Sequence, residues 1–311
     1  MRILSPIVLF VYNRPFHAEQ TLEALSNNFL ADQSTLYIYC DGPKANETSE
    51  VLENIKLVRE VCEKKQWTKE VIIIKREQNS GLANSITNGV TELINKYGRV
   101  IVLEDDLVTS PGFLTYMNDA LDKYADTERV MHISGYWFPV KKTGSLLPET
   151  FFYRATSCWG WATWKRAWQK LETDPVALKD KITSIPKGSR KFNIENSYSH
   201  LVQLEDNITG KINTWAVKWY ATVFLNNGLC LHPNLSLVNN IGFDNSGTHC
   251  GSTSLYYWPQ TDRTIQLNEI RLEESQQSIK MAKQFHKKLQ ITLLKRIKRK
   301  AFRMLGIPTQ Q

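Results

Sequence analysis

Three consecutive carboxylates, Glu104, Asp105 and Asp106, stand directly after an apolar run, Val100 to Leu103. Adjacent acids repel one another, so a strand tip that presents three of them is suited to a divalent cation. Hard ions such as Mg2+ or Mn2+ prefer carboxylate and phosphate oxygens, and such an ion can hold a diphosphate at the same time. The plain alternative is an acidic turn ahead of the helix signalled at Ser110 and Pro111, where negative charge favours the helix N-terminus. Other polar residues fall where further apolar runs end: Tyr12, Asn13 and Arg14, then Asp41, then Arg76, Asn79 and Gly81. Asp41-Gly42 also reads as a turn pair, and residues 79–81 as the cap of the next helix.

Strand-like and helix-like periods alternate along the first 130 residues and position these groups. Strands are predicted over 7–11, 35–40, 71–75 and 100–103, and helices over 15–28, 48–65, 82–97 and 111–124. This order implies an α/β fold with a mostly parallel sheet flanked by helices, and ligands in such sheets bind at the carboxyl ends of the strands. Residues 7–11 and 71–74 are continuously apolar, as expected of strands covered on both faces.

After about residue 131 the pattern loosens into a tryptophan-rich half. Indole rings suit a carbohydrate, since they cover its apolar face while the N–H reaches a hydroxyl. Trp164, Trp168 and Leu171 recur at helical spacing and read as core. Trp159 and Trp161 flank Gly160 in a predicted loop and are the aromatic candidates for binding. Residues 239–251, with three glycines, Asp244 and His249, read as a flexible loop able to close over a ligand and exclude water.

The 311 residues bound one large or two modest domains, and 42% hydrophobic residues fill a substantial core. Five cysteines without metal-ligand spacing give no disulfide framework and point to a reducing compartment. No run approaches the roughly 20 apolar residues of a membrane span. Ten of the 39 Lys/Arg and none of the 31 Asp/Glu fall within residues 280–303, so the remainder of the chain is close to neutral. That distribution argues against nucleic acid as a partner of the main domain. In the tail, Phe285, Leu289, Leu293, Ile297 and Ala301 recur every four residues among the cations. The pattern is a basic amphipathic helix suited to an anionic membrane surface, or else a terminal helix packed on the domain.

The sequence resembles the GT-A-fold glycosyltransferases, in particular bacterial sugar transferases of polysaccharide loci that share motifs with the Golgi N-acetylglucosaminyltransferase initiating complex N-glycans. The resemblance spans about residues 5–250. It rests on PIVLFVYNRP from Pro6, the Cys40-Asp41-Gly42 strand end, NSGLA from Asn79, LEDDL from Leu103 with SPGF from Ser110, WGWATW from Trp159, and NIGF from Asn240. It implies transfer of a sugar from a nucleotide-sugar donor, a UDP-sugar, to a glycan or lipid-linked saccharide in surface polysaccharide synthesis, with inversion and with Mn2+ or Mg2+. Asp106 is then the metal ligand and Glu104 and Asp105 address the ribose and donor sugar. Asp41 faces the uracil, Tyr12, Asn13 and Arg14 border the nucleotide, and Arg76 with residues 79–81 lies near its phosphates or ribose.

The implied boundaries are a glycosyltransferase domain over 1–260, divided into a nucleotide-sugar-binding half (1–130) and an acceptor half (131–260), then a linker and basic tail over 261–311. The place implied is the cytoplasmic face of the cell membrane. The expected base departs from the pattern: an aspartate should follow the first tryptophan of a Trp-Asp-x-x-Trp segment, and this chain has Trp215 and then Ala216. Asp244 and Asp206 are the substitutes, with Glu205 beside them. A different stereochemical course and a protein that binds a sugar nucleotide without transferring it are therefore the alternatives to a relocated base. A nucleotidyltransferase fits less well, because no Gly-rich phosphate loop follows the first strand.

Overall fold

A computed structural model describes residues 2–140, 147–244, 254–259 and 264–304, with side chains up to residue 292. His249 and Cys250 lie outside the described residues. The early elements match the periodicity closely: β1 (Ile7–Val11), α1 (Pro15–Ser26), β2 (Thr35–Cys40), α2 (Ser49–Glu63), β3 (Glu70–Lys75), α3 (Leu82–Tyr97) and β4 (Arg99–Glu104). A short β5 (Leu107–Thr109), α4 (Phe113–Lys123) and β6 (Val130–Ser134) follow. Among the described residues the second half supplies β7 (Thr150–Tyr153), β8 (Trp161–Trp164), six helices and two more strands. The first five of these helices are α5 (Lys165–Trp168), α6 (Pro175–Ser184), α7 (Gly188–Phe192), α8 (His200–Ile208) and α9 (Ala216–Leu225). Then come β9 (Leu229–Pro233), β10 (Val238–Asn240) and the terminal α10 (Gln276–Met304).

Eight strands form one sheet in the order β3-β2-β1-β4-β8-β6-β9-β7. β8 runs antiparallel to β4 and β6, and β7 antiparallel to β9, while the other neighbours are parallel. The fold is therefore a mixed α/β, GT-A-type arrangement with a mostly parallel sheet. Alternate residues of β1, β2 and β4 feed opposite cores. Ile7, Leu9, Leu36, Ile38, Ile101 and Leu103 meet α1, α2 and α4. Val8, Phe10, Tyr37, Tyr39, Val100 and Val102 meet α3 and the tryptophans of the second half.

Several expectations need correction. β3 is the edge of the sheet and only half-buried, so its run of isoleucines does not mark a strand covered on both faces. Trp161 is not in a loop. It lies in β8 opposite Val102, is fully buried, and stacks on His132 and Trp215 with ring centroids 5.4 and 5.0 Å away. Trp164 belongs to the same strand rather than to a helix. Asn239 and Asn240 form β10, which pairs antiparallel with β5 instead of beginning a flexible loop.

A third core lies among α6 to α9 and the start of α10. Ile279, Met281 and Ala282 of α10 are buried there, and Phe285, also buried, stacks on Phe138 at 4.7 Å. Ahead of the helix, Glu274 accepts hydrogen bonds from the Arg154 backbone N–H and guanidinium. The first turns of the tail are thus part of the folded domain.

Truncating a fully buried tryptophan removes its packing and leaves a cavity. Trp161→Ala is expected to lower unfolding free energy by about 3–5 kcal/mol, read by urea denaturation. A loss below about 1 kcal/mol would return Trp161 to the surface role that its neighbour Gly160 suggests.

Candidate active site

The carboxyl end of β4 and the turn after β1 meet at one point. Pro15 opens α1 and fixes Arg14 at the N-cap position, so the Arg14 side chain leaves the tip of β1 toward its neighbour β4. Its guanidinium binds both carboxylates beyond β4. Nη2 donates to Asp105 and, at 2.9 Å, to Asp106 Oδ2, while Nε lies 3.4 Å from Asp105 Oδ2. The three side chains are 19%, 8% and 13% exposed. The backbone of the triplet is held as well: Thr21 Oγ1 of α1 donates to the Asp105 carbonyl at 2.8 Å.

The β5/β10 ribbon carries the chain back over this point. Ile241 N donates to the Asp106 carbonyl at 2.9 Å. Gly242 follows, and a Cβ there would overlap the Asp106 carboxylate and lie 2.9 Å from Arg14 Nη1, so a larger residue would have to displace the ends of these two side chains. Two residues on, Asp244 Oδ2 sits 3.1 Å from His17 Nε2 in the first turn of α1. Sequence reasoning missed His17 and the tight seat of Gly242. The signal for His17 was its place three residues after Arg14, one helical turn on.

Burial raises the Glu104 carboxyl to about 8, with the Asp106 and Asp105 charges adding to it and Arg14 opposing. Burial likewise raises Asp105 to about 6, opposed first by Arg14. The two acids hold Arg14 firmly protonated against its own burial.

A second cluster forms where β2 and β3 end. The Asp41 carboxylate accepts the backbone N–H groups of Gly42, Ser80 and Gly81 at 3.0–3.2 Å, which places it at the N-terminus of α3. Asn79 Oδ1 accepts from Gly81 N, and its Nδ2 donates to the Gly42 carbonyl, both at 3.0 Å. Arg76 Nη1 donates to Ser85 Oγ at 3.0 Å, and Ser85 Oγ in turn lies 3.4 Å from Asp41 Oδ2. Asp41, Arg76, Asn79 and Gly81 therefore build one rigid wall, and part of what reads as binding capacity in the sequence is spent on the wall itself. Tyr12 donates to Glu47 at 2.6 Å beyond β1. Asn13 follows it, half-buried.

The segment 155–160 borders the site on the other side. His132 Nε2 lies 3.1 Å from the Ser157 carbonyl, and its Nδ1 accepts from Trp219 Nε1 at 3.1 Å, which fixes a neutral ring. Gly160 adopts φ +61°, and a Cβ there would come within 2.8 Å of Val238. Trp159 is half-buried against Tyr136, Phe243 and Tyr256, with centroids 4.4–5.5 Å away. Through Phe243 it touches the loop that covers Asp106.

Asp206 does not join this assembly. It sits on α8, which packs against α6, α7 and α9, and its carboxylate pairs with Lys211 at 2.9 Å. Glu205 pairs with Lys179 at 2.9 Å. Ala216 opens α9 beside Trp215, whose ring stacks on Trp161 near the carboxyl end of β4. The position expected to carry an acid thus lies on this side of the sheet and holds a methyl group.

Among the described residues no three His, Cys, Asp or Glu side chains converge as a closed metal site. One or two carboxylates completed by substrate phosphates and water are, however, the usual donor set for Mg2+, and Asp106 with Asp105 fits that open pattern. Because Glu104 and Asp105 are raised in the folded state, that state holds protons which the unfolded chain has released. Stability of the metal-free protein should accordingly fall as pH climbs from about 4.5 through about 8. Urea titrations in EDTA at pH 5.5 and 8.5 are expected to show Glu104→Gln losing at least about 1 kcal/mol less than wild type across that interval. Equal losses would mean that Glu104 ionises freely in the fold.

Comparison with the curated proteins gives no match. Among solved structures, TarS of S. aureus aligns at a TM-score of 0.30 and 13% identity, over 42% of this chain and 21% of TarS. UDP-glucose pyrophosphorylase complexed with UDP-glucose aligns at 0.35 and 10% identity, over 74% and 90% of the two chains. Mouse xyloside xylosyltransferase 1 aligns at 0.36 and 9% identity, over 71% and 81%. Scores of this size carry no argument about this chain. The family model described as glycosyl transferase family 2 matches residues 7–164, half of the sequence, including β1, β4 and β5 of the acidic site. With that match, and with Arg14, Asp105 and Asp106 joined at the carboxyl end of its sheet, the chain belongs to glycosyltransferase family 2 and uses nucleotide-sugar donors.

Proposed function

We propose that the protein transfers a sugar from a UDP-sugar to a saccharide or lipid-linked saccharide acceptor, with inversion and with Mn2+ or Mg2+, in bacterial surface polysaccharide synthesis. The observation that carries this reading is the buried Arg14-Asp105-Asp106 cluster at the β4 tip, covered by residues 241–244. Asp106 is the residue that holds the metal, which would neutralise the diphosphate as it leaves. The Asp41 wall receives the base and ribose, and Glu104 and Asp105 address the donor sugar. Trp159 and Gly160 shape the acceptor side. Asp244 is the base, with a half-exposed carboxylate positioned by His17, and takes the proton of the acceptor hydroxyl. Asp206, held by Lys211 on α8, is not proposed for that step.

A panel of UDP- and GDP-sugars with Mn2+, scored for thermal stabilisation, hydrolysis and transfer, tests the reading. Asp106→Ala is expected to remove metal-dependent stabilisation by the donor while the protein stays folded. Asp244→Asn is expected to keep donor binding and lose about 10²–10⁴ in kcat. Full activity in Asp106→Ala would overturn the proposal. Metal-dependent stabilisation with no turnover on any sugar would favour the second reading, a sugar-nucleotide-binding protein, to which Ala216 lends its support.

A lipid-linked acceptor and the basic tail support a position on the cytoplasmic face of a membrane. No described helix is long and apolar enough to cross one. Because Ile279 to Phe285 are core, a deletion after Glu274 would damage the domain. The informative truncation follows Thr292 and removes six cations, Lys295, Arg296, Lys298, Arg299, Lys300 and Arg303. Each basic residue near an anionic surface contributes about 1 kcal/mol, so full-length protein should float with phosphatidylserine vesicles at low salt and the truncated form should not. Equal flotation of the two would confine the tail to a packing role.

A further inference from the structure

Arg14 does more in this structure than border a nucleotide. Its guanidinium spans Asp105 and Asp106 and uses Oδ2 of the residue assigned to the metal. The contact is shielded: both carboxylates are nearly buried, and the chain at Gly242 lies close against Asp106 and Arg14. A divalent cation arriving at Asp106 therefore meets a carboxylate already bound to a positive charge, and two cations on one carboxylate repel each other. A nucleoside diphosphate changes that balance. Its phosphate oxygens match the fork of a guanidinium as well as a carboxylate does, so they can draw Arg14 off Asp106 while helping to ligate the metal.

We infer that Arg14 is an exchangeable counter-ion of the site. It keeps Asp106 occupied while the donor is absent and moves to the diphosphate when the donor binds, so that metal and nucleotide enter as a coupled pair. The inference rests on the reading of Asp106 as metal ligand. By linkage, the factor by which nucleotide tightens metal must equal the factor by which metal tightens nucleotide.

The test is a Mn2+ titration followed by the EPR signal of unbound Mn2+, without and with saturating UDP, with GDP in parallel. Wild type is expected to bind Mn2+ weakly alone and at least about tenfold tighter with the nucleoside diphosphate. In Arg14→Gln the free protein is expected to bind Mn2+ about tenfold tighter than wild type, with the nucleotide adding little further. Arg14→Lys keeps the charge and protects the fold, but its ammonium lacks the second contact that Nε makes with Asp105, so it should fall between the two. Melting curves show that each variant is folded. Arg14→Gln that binds Mn2+ alone no tighter than wild type, or that retains the full nucleotide effect, overturns the inference. Asp106→Asn separates the two claims. Nucleotide-dependent Mn2+ binding that survives this change removes the metal assignment itself and the inference with it. Loss of binding in Asp106→Asn together with intact coupling in Arg14→Gln removes only the role of Arg14.

Discussion

The mutual repulsion of three adjacent carboxylates at the end of a buried strand is the constraint around which this protein is built. Glu104, Asp105 and Asp106 are forced together by the chain itself, and the low-polarity surroundings of β4 amplify their repulsion. Arg14 answers it from the neighbouring strand, and α1 presents Arg14 because Pro15 starts the helix one residue later. β1 and β4 must then be adjacent and parallel, which the sheet order supplies. The ribbon of β5 and β10 lies over the same point and sets Gly242 against the Asp106 carboxylate and the Arg14 guanidinium.

The second half of the chain serves the site indirectly. Its tryptophans are largely core: Trp161, Trp168, Trp215 and Trp219 form one continuous stack under the α3 face. Buried histidines tie the cores of this half to the loop at 155–160. His132 does so through Ser157, and His232 through ring nitrogens 3.0 Å from the Tyr136 and Ala155 carbonyls. The loop bearing Trp159 and Gly160 is thereby fixed from beneath.

Much of the first 130 residues was legible, because strands and helices there keep clean periods and their polar ends coincide with the strand tips. The acidic triplet stood out for the same reason. What was not legible depends on contacts between distant residues. Nothing local in Arg14 announces a partner 91 positions away. Trp161 was misread because a glycine before it suggests a loop, whereas Gly160 serves a close approach to Val238 and the strand starts one residue later. The pairing of Asp206 with Lys211, five positions on, is a matter of side-chain placement that the sequence does not specify. The tail's apolar repeat allows both a membrane face and a packed face, and the contact of Phe285 with Phe138, almost 150 residues earlier, is what makes its first turns core.

The ribbon between β5 and β10 joins residues 107–109 to 238–240. A chain made from its N-terminus therefore exposes its acidic cluster long before the strand that roofs it exists. Over that stretch of synthesis Arg14 is already at hand while Gly242 is not. The charge balance of the site is thus a local property of the early strands, and its enclosure is a late one, separated from it by the making of more than a hundred residues.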